Sequence, residues 1–427
     1  MRRPARSRIL LPLLASGVFV LAAGSGCHRG GSSSPSDSGE VRSSVQRITA
    51  PEVPLADAAQ LAADNRAFAT AVLGALRTQP GNLVYAPASI SVALAMLYAG
   101  ANGSTASEIA QALHFNLPAM RLHPAFDALD LALARSPADD SAFRLTLVNA
   151  AWGQRDYPFR AAYLDTLAAY YGAGIRTVDF AHPEPARLTI NEWVGKSTAG
   201  QIDELIPAGI ITDRTRLVLT NAVYFKADWQ MPFAPSSAPG VFHAAAGDVS
   251  VPIMRGPEAV WLWNGAGFQA AALPYAGGTT SMVLIVPEAG TFDAFEQSLT
   301  GDGLGAILGG QSQAVLGAVT MPRFRFTTKT DLADTLKTLG MKQAFDGSLA
   351  DLSGIDGSKG LFVTDVLHQA TIAVDEKGTE AAAATAVIVG RKAAALNSLA
   401  VDRPFLFVIR DDATGAILFQ GRVVDPR

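Results

Sequence analysis

Residue types that do covalent or metal chemistry are sparse in this chain. Cys27 is the only cysteine among 427 residues, so no disulfide closes within it. The six histidines show no H-E-x-x-H or comparable metal-ligand spacing. Gly195-Lys196-Ser197 has the tail of a phosphate-binding loop, but its leading glycine would fall at position 190, which holds Ile190. Gly301-Asp302-Gly303-Leu304-Gly305 lacks the spacing of a dinucleotide turn, and no Gly-x-Ser-x-Gly elbow is present. With no nucleophile–base pattern, the reading is of a protein that is not an enzyme and needs no cofactor or metal.

Charge excludes further classes. The 34 basic and 38 acidic residues are mixed along the chain and leave a formal net charge of −4. No basic stripe suits nucleic acid, and no acidic block suits a solvating tail. Apolar residues make up 49% of the chain, enough for a large core.

The beginning of the chain reads as an address. Arg2, Arg3, Arg6 and Arg8 precede an apolar run from Ile9 to Ala23, then the small residues Gly24-Ser25-Gly26 and Cys27. That order is an export signal over 1–26, with an apolar run too short to span a membrane. Cys27 resembles the lipid-attachment cysteine of bacterial lipoproteins, although Gly24 replaces their usual leucine. Two outcomes follow: a lipid anchor at Cys27 on a bacterial membrane or cell surface, or ordinary cleavage and secretion. Residues 27–54 are Ser/Gly-rich, with Gly30-Gly31-Ser32-Ser33-Ser34-Pro35-Ser36, and are expected to form a flexible tether. The folded body is expected over 55–427.

Within the body, Asp57 to Thr78 places Leu61, Asn65, Phe68, Ala69, Val72 and Leu76 at helical spacing. Ile90–Tyr98 and Thr105–Leu113 read as helices. Arg144–Trp152, Leu217–Phe225 and Ser281–Pro287 read as strands. Phe405–Arg410 and Ile417–Val424 read as two more, joined by the turn Asp411-Asp412-Ala413-Thr414-Gly415. Helices early and strands late indicate an α+β arrangement.

Four runs resemble the serpin family. They are Asn82 to Ala101 followed by Gly103-Ser104-Thr105; Leu219-Thr-Asn-Ala-Val-Tyr-Phe-Lys-Ala-Asp-Trp229; His368 to Ala384; and Asp402-Arg-Pro-Phe-Leu-Phe-Val-Ile-Arg410 with Gly415 to Arg422. The resemblance implies one α+β domain of three β-sheets and about eight or nine helices, with an exposed reactive loop at roughly 376–400. It also implies a monomeric suicide-substrate inhibitor of an extracytoplasmic serine protease. The loop is cleaved, a covalent acyl complex forms, and the loop inserts into the main sheet.

The resemblance assigns the hinge to Glu376, Gly378, Thr379, Glu380, Ala381, Ala382, Ala383 and Ala384, with Gly378 supplying conformational freedom. Alternation along a strand then puts Thr379, Ala381, Ala383, Thr385, Val387 and Val389 on the buried side, all small or β-branched. In the intact protein Thr379 to Val389 is expected to lie mostly outside the sheet. By propensity alone, Glu380 to Ala386 would instead form a helix. The reactive bond is expected at Lys392-Ala393, with Arg391 and Ala394 as alternatives, and the basic residues suit a trypsin-like target. An elastase-like, subtilisin-like or cysteine protease target, or a non-inhibitory binding protein, remains as the alternative. Ser89, Asn221, Trp229 and His368 match the residues that gate the sheet. Ala86 stands where serine is common, so one hydrogen bond of that group is expected to be missing.

Overall fold

The computed structural model describes residues 39–134, 143–236, 238–257, 259–379 and 397–427. Among them are ten α-helices and three β-sheets. Cys27 lies outside the described residues, as do Glu380, Ala381, Ala382, Ala383, Ala384, Arg391, Lys392, Ala393 and Ala394.

The main sheet runs in the order Gly39–Val41, Ile175–Val178, Phe143–Gln154, Leu217–Asp228, Gly378–Thr379, Val366–Val374, Phe324–Asp331. Its central strands are mostly buried on both faces, and their sequences show no strict apolar–polar alternation. The period of two still sorts the side chains. Val148, Ala150, Trp152, Val218, Ala222 and Leu367 pack with Ala186, Ile190 and Val194 of helix Pro183–Ser197. Ala151, Leu219, Val223, Val366 and Ala370 join the larger core on the other face. That face packs on helix Pro87–Tyr98. Pro87 opens this helix at a position where its missing N–H costs nothing. Ile90, Ala93, Leu94, Ala95, Met96 and Leu97 bury it almost all round.

A second sheet joins Leu83–Tyr85, Ile417–Val423, Phe405–Asp411, Thr280–Pro287, Phe268–Pro274, Val260–Gly265, Val315–Pro322, Ile253–Arg255 and Ala234–Pro235. Asn397–Ala400, where the chain returns after the loop, pairs parallel to Val315–Pro322. The third sheet is the hairpin Gly240–Ala244 with Gly247–Val251.

The elements read from the sequence are present with small shifts at their ends. The helices span Leu55–Leu76, Pro87–Tyr98 and Gly103–Ala112, and the strand read as ending at Phe225 continues to Asp228. The expectation of a flexible tether through residue 54 does not hold for its second half. Gly39–Val41 forms the outermost strand of the main sheet, antiparallel to Ile175–Val178. Arg47 then ion-pairs with Asp127 at 2.9 Å and Asp130 at 2.6 Å. Composition argued for flexibility because this stretch has little to bury. It is held by backbone pairing and charge, which composition does not register.

Candidate site: the cleft of the main sheet

The site is a cleft between two neighbouring strands. Leu217–Asp228 and Val366–Val374 run parallel and pair from Leu219 and Val366 up to Val223 and Ala370. Beyond that point no ladder pair joins them directly among the described residues. At the far end Gly378 and Thr379 sit between them, antiparallel to both. Gly378 pairs with Asp228, and Thr379 with Ala227 and Val374. Thr379, the first residue of the stretch expected to lie mostly outside the sheet, is itself paired within it and 1% exposed, while 380–389 lie outside the described residues.

The hinge is gripped by an aromatic stack. Trp229 lies parallel on Tyr275, with ring centroids 4.5 Å apart and an interplanar angle of 10°. The Tyr275 hydroxyl and Thr379 Oγ1 share a 2.7 Å hydrogen bond. Trp229 Nε1 donates to the Asp375 carbonyl at 2.9 Å, and its backbone N–H donates to the Lys377 carbonyl at 2.6 Å. The Phe233 N–H donates to the Glu376 carbonyl, and the Glu376 side chain ion-pairs with Arg323 at 2.5 Å. A Cβ on Gly378 would come within 2.0 Å of the Ala227 carbonyl oxygen. Close approach to the neighbouring strand is thus a reason for glycine there, beside the hinge freedom expected of it.

At the closed end the polar group is continuous. Asn149, Asn221 and His368 occupy paired positions on three adjacent strands and face helix Pro87–Tyr98. Asn221 Nδ2 donates to Ser89 Oγ at 2.8 Å and to Asn149 Oδ1 at 2.6 Å. Ser89 Oγ donates to Asn149 Oδ1 at 3.0 Å. The Ala86 N–H approaches His368 Nε2 at 3.2 Å, and His368 Nδ1 lies 2.6 Å from Asn221 Oδ1. A backbone N–H can only donate, so Nε2 accepts and Nδ1 carries the proton. The imidazole is neutral, and burial holds its pKa down to about 3. Ala86 thus takes part through its backbone, although it has no hydroxyl to offer.

Of the residues singled out, the structure brings Ser89, Asn221 and His368 together at one end of the cleft. It places Trp229, Glu376, Gly378 and Thr379 at the other. Asn149 and Tyr275 were not picked out by sequence reasoning. Asn149 carried a signal, as a lone amide within the apolar run Leu147-Val148-Asn149-Ala150-Ala151. Tyr275 carried none, since its role depends on a contact with a residue more than a hundred positions away.

The cleft thus closes at one end and holds Gly378 and Thr379 between its strands at the other. The family model described as Serpin (serine protease inhibitor) matches residues 63–426. This chain belongs to the serpin family. Serpins are generally protease inhibitors. This serpin is 39% identical over 352 residues to an uncharacterized serpin-like protein from Thermococcus kodakarensis, covering 81% of each chain. It is 36% identical to the leukocyte elastase inhibitor of Bos taurus, over 86% of this chain and all of that one. Among solved structures, native tengpin, a thermophilic serpin, superposes with a TM-score of 0.79 over 91% of this chain and 99% of its own. At 24% identity that match speaks to the fold. Serpin48 of Tenebrio molitor superposes with a TM-score of 0.72 at 29% identity, over 86% of this chain and 99% of its own.

Proposed function

We propose that this serpin is an irreversible, single-use inhibitor of trypsin-like serine proteases, acting outside the cytoplasm. The protease serine Oγ attacks the Lys392 carbonyl carbon. The bond to Ala393 breaks, its amine leaves with a proton from the protease histidine, and Lys392 remains as an acyl ester. The freed loop then enters the cleft as a new strand before water reaches the ester. The supporting observation is the seating of Gly378 and Thr379, which already fill the first positions of an antiparallel strand between Leu217–Asp228 and Val366–Val374.

Active trypsin-like protease is expected to give a denaturant-stable one-to-one adduct and a C-terminal fragment beginning at Ala393. Complete turnover without adduct, across a panel of serine and cysteine proteases, overturns the reading. The likeness to a leukocyte elastase inhibitor supports a second reading, with the bond after Ala393 or Ala394 and an elastase-like target. The mass of the released fragment separates the two.

Cys27, following an apolar export signal, is the proposed lipid anchor to a bacterial membrane or surface. Labelled fatty acid is expected to enter the wild type in a bacterial host. Cys27→Ser is expected to abolish the label and release the protein from membranes. Equal partitioning of the two forms rules the anchor out.

A further inference from the structure

The two edges of the main sheet are protected differently. Exposed edges invite strand pairing from outside, and charged side chains on the edge strand are a common guard. Phe324–Asp331 carries that guard in the exposed Arg325, Lys329 and Asp331. The opposite core strand, Ile175–Val178, has one charged residue, Arg176. Its guanidinium lies 4.5 Å from the Trp193 ring and 5.8 Å from the Trp152 ring, turned onto the sheet face. Residues 39–50 cover this edge instead.

The cover is attached by chemistry that a free peptide can reproduce. Glu40 pairs with Arg176 and Val41 with Ile175. Ser43 Oγ donates to Asp165 Oδ1 at 2.5 Å, and Arg42 donates to the Gly172 carbonyl at 2.6 Å. Arg47 reaches the fully buried carboxylate of Asp127 and the partly exposed one of Asp130. A Cβ on Gly174 would come within 2.7 Å of the Val41 carbonyl oxygen, so the groove floor is cut back where the segment lies. The segment buries little of itself: Val41, Val45 and Ile48 are 38%, 40% and 38% exposed. Its hold is therefore mainly polar, and its departure leaves the buried Asp127 carboxylate in need of another cation. Pro51 and Pro54 bracket the link to helix Leu55–Leu76 and favour an extended connection, so the segment can leave as a unit.

We propose that the Ile175–Val178 edge, with the acidic flank of Asp127, Asp130 and Asp165, is a strand-docking groove for an extended basic segment, held shut by residues 39–50. The occupant it fits is a short strand followed about six positions later by an arginine that bridges two carboxylates. Such a segment binds by adding a strand to the sheet. Release of residues 39–50, as by cleavage beside Pro51, opens the groove to a segment of that kind supplied in trans.

The test uses a synthetic peptide of residues 39–50 as the probe. Two proteins receive it: a variant beginning at Pro51, and the full chain with a specific protease site inserted between Ala50 and Pro51. The second is cut after folding and stripped of its fragment in high salt with mild denaturant, since salt alone screens the exposed Arg47–Asp130 pair but not the buried one to Asp127. It answers the question even where the short variant does not fold. Saturable one-to-one binding is expected to both, with none to the intact chain. An Arg47→Ala peptide is expected to bind at least tenfold more weakly. Absence of binding to the stripped protein, equal binding to the intact chain, or equal affinity of the Arg47→Ala peptide overturns the proposal.

Discussion

A chain cut once between Arg391 and Ala394 is expected to melt on the order of 20 °C above the intact chain, at unchanged composition. The cleft explains the size of the effect. Between Val223 and Ala227 on one strand, and Ala370 and Val374 on the other, the two strands pair with a full partner only at the ends. An inserted loop supplies ladder bonds on both sides. Each contributes about 0.5–1.5 kcal/mol net, and roughly ten form together. On the proposed mechanism the intact serpin is a kinetic trap, less stable than its cut product. The seating of Thr379 means the first rung exists before any cut, so insertion begins from a nucleated strand. Thr379→Arg tests that start. Thr379 is 1% exposed and bonded to the Tyr275 hydroxyl, so an arginine there must bury a charge or lift the hinge out. The variant is expected to be cut at a normal rate, with adduct reduced more than tenfold and most of the melting gain lost. Unchanged melting after a clean cut of the wild type refutes insertion. Wild-type adduct yield from Thr379→Arg refutes the hinge as its start.

Sequence reasoning recovered the parts of this machine that are written locally. The apolar run Ser281–Pro287 announces a buried strand, and the turn at Asp411–Gly415 announces the final hairpin. What it missed depends on which distant segments meet. Gly378 was read only for the freedom that glycine gives a hinge. Only the register against Ala227 shows that it is a close-contact residue. Residues 39–50 looked like linker, since their hold rests on Asp127, Asp130 and Asp165, about eighty residues away or more. Tyr275 lies in a turn-rich stretch, and its part as the stacking partner of Trp229 exists only in the folded chain.

Acid is expected to loosen the closed end of the cleft through His368. In the folded chain its imidazole is buried and its pKa is held down to about 3, while an unfolded histidine titrates near 6.5. Between those values the unfolded chain binds the extra proton and the folded chain does not. Stability from this site is therefore complete above about pH 6.5 and declines as pH falls toward 3. The geometry gives the cause. Protonated His368 has a hydrogen on Nε2, directed at the Ala86 N–H that it otherwise accepts from. The contact between the start of helix Pro87–Tyr98 and the sheet then becomes a donor–donor clash. His123 behaves similarly, with burial holding its pKa down to about 4, so the two contributions must be separated by mutation. His368→Gln is expected to reduce the slope of unfolding free energy against pH, between about 6 and 4, by up to one proton, or about 1.4 kcal/mol per pH unit. His123→Gln, which removes a 2.7 Å contact to the Tyr171 hydroxyl and touches none of Ser89, Asn149, Asn221 or His368, is expected to reduce the slope too but to leave the amide exchange of Ala86 and Ala222 unchanged. In the wild type those two amides are expected to exchange faster relative to the global limit at pH 5 than at pH 7, after correction for intrinsic rates. An unaltered slope in His368→Gln would show that the histidine is protonated in the folded state, and that the cleft is closed by something other than this hydrogen bond.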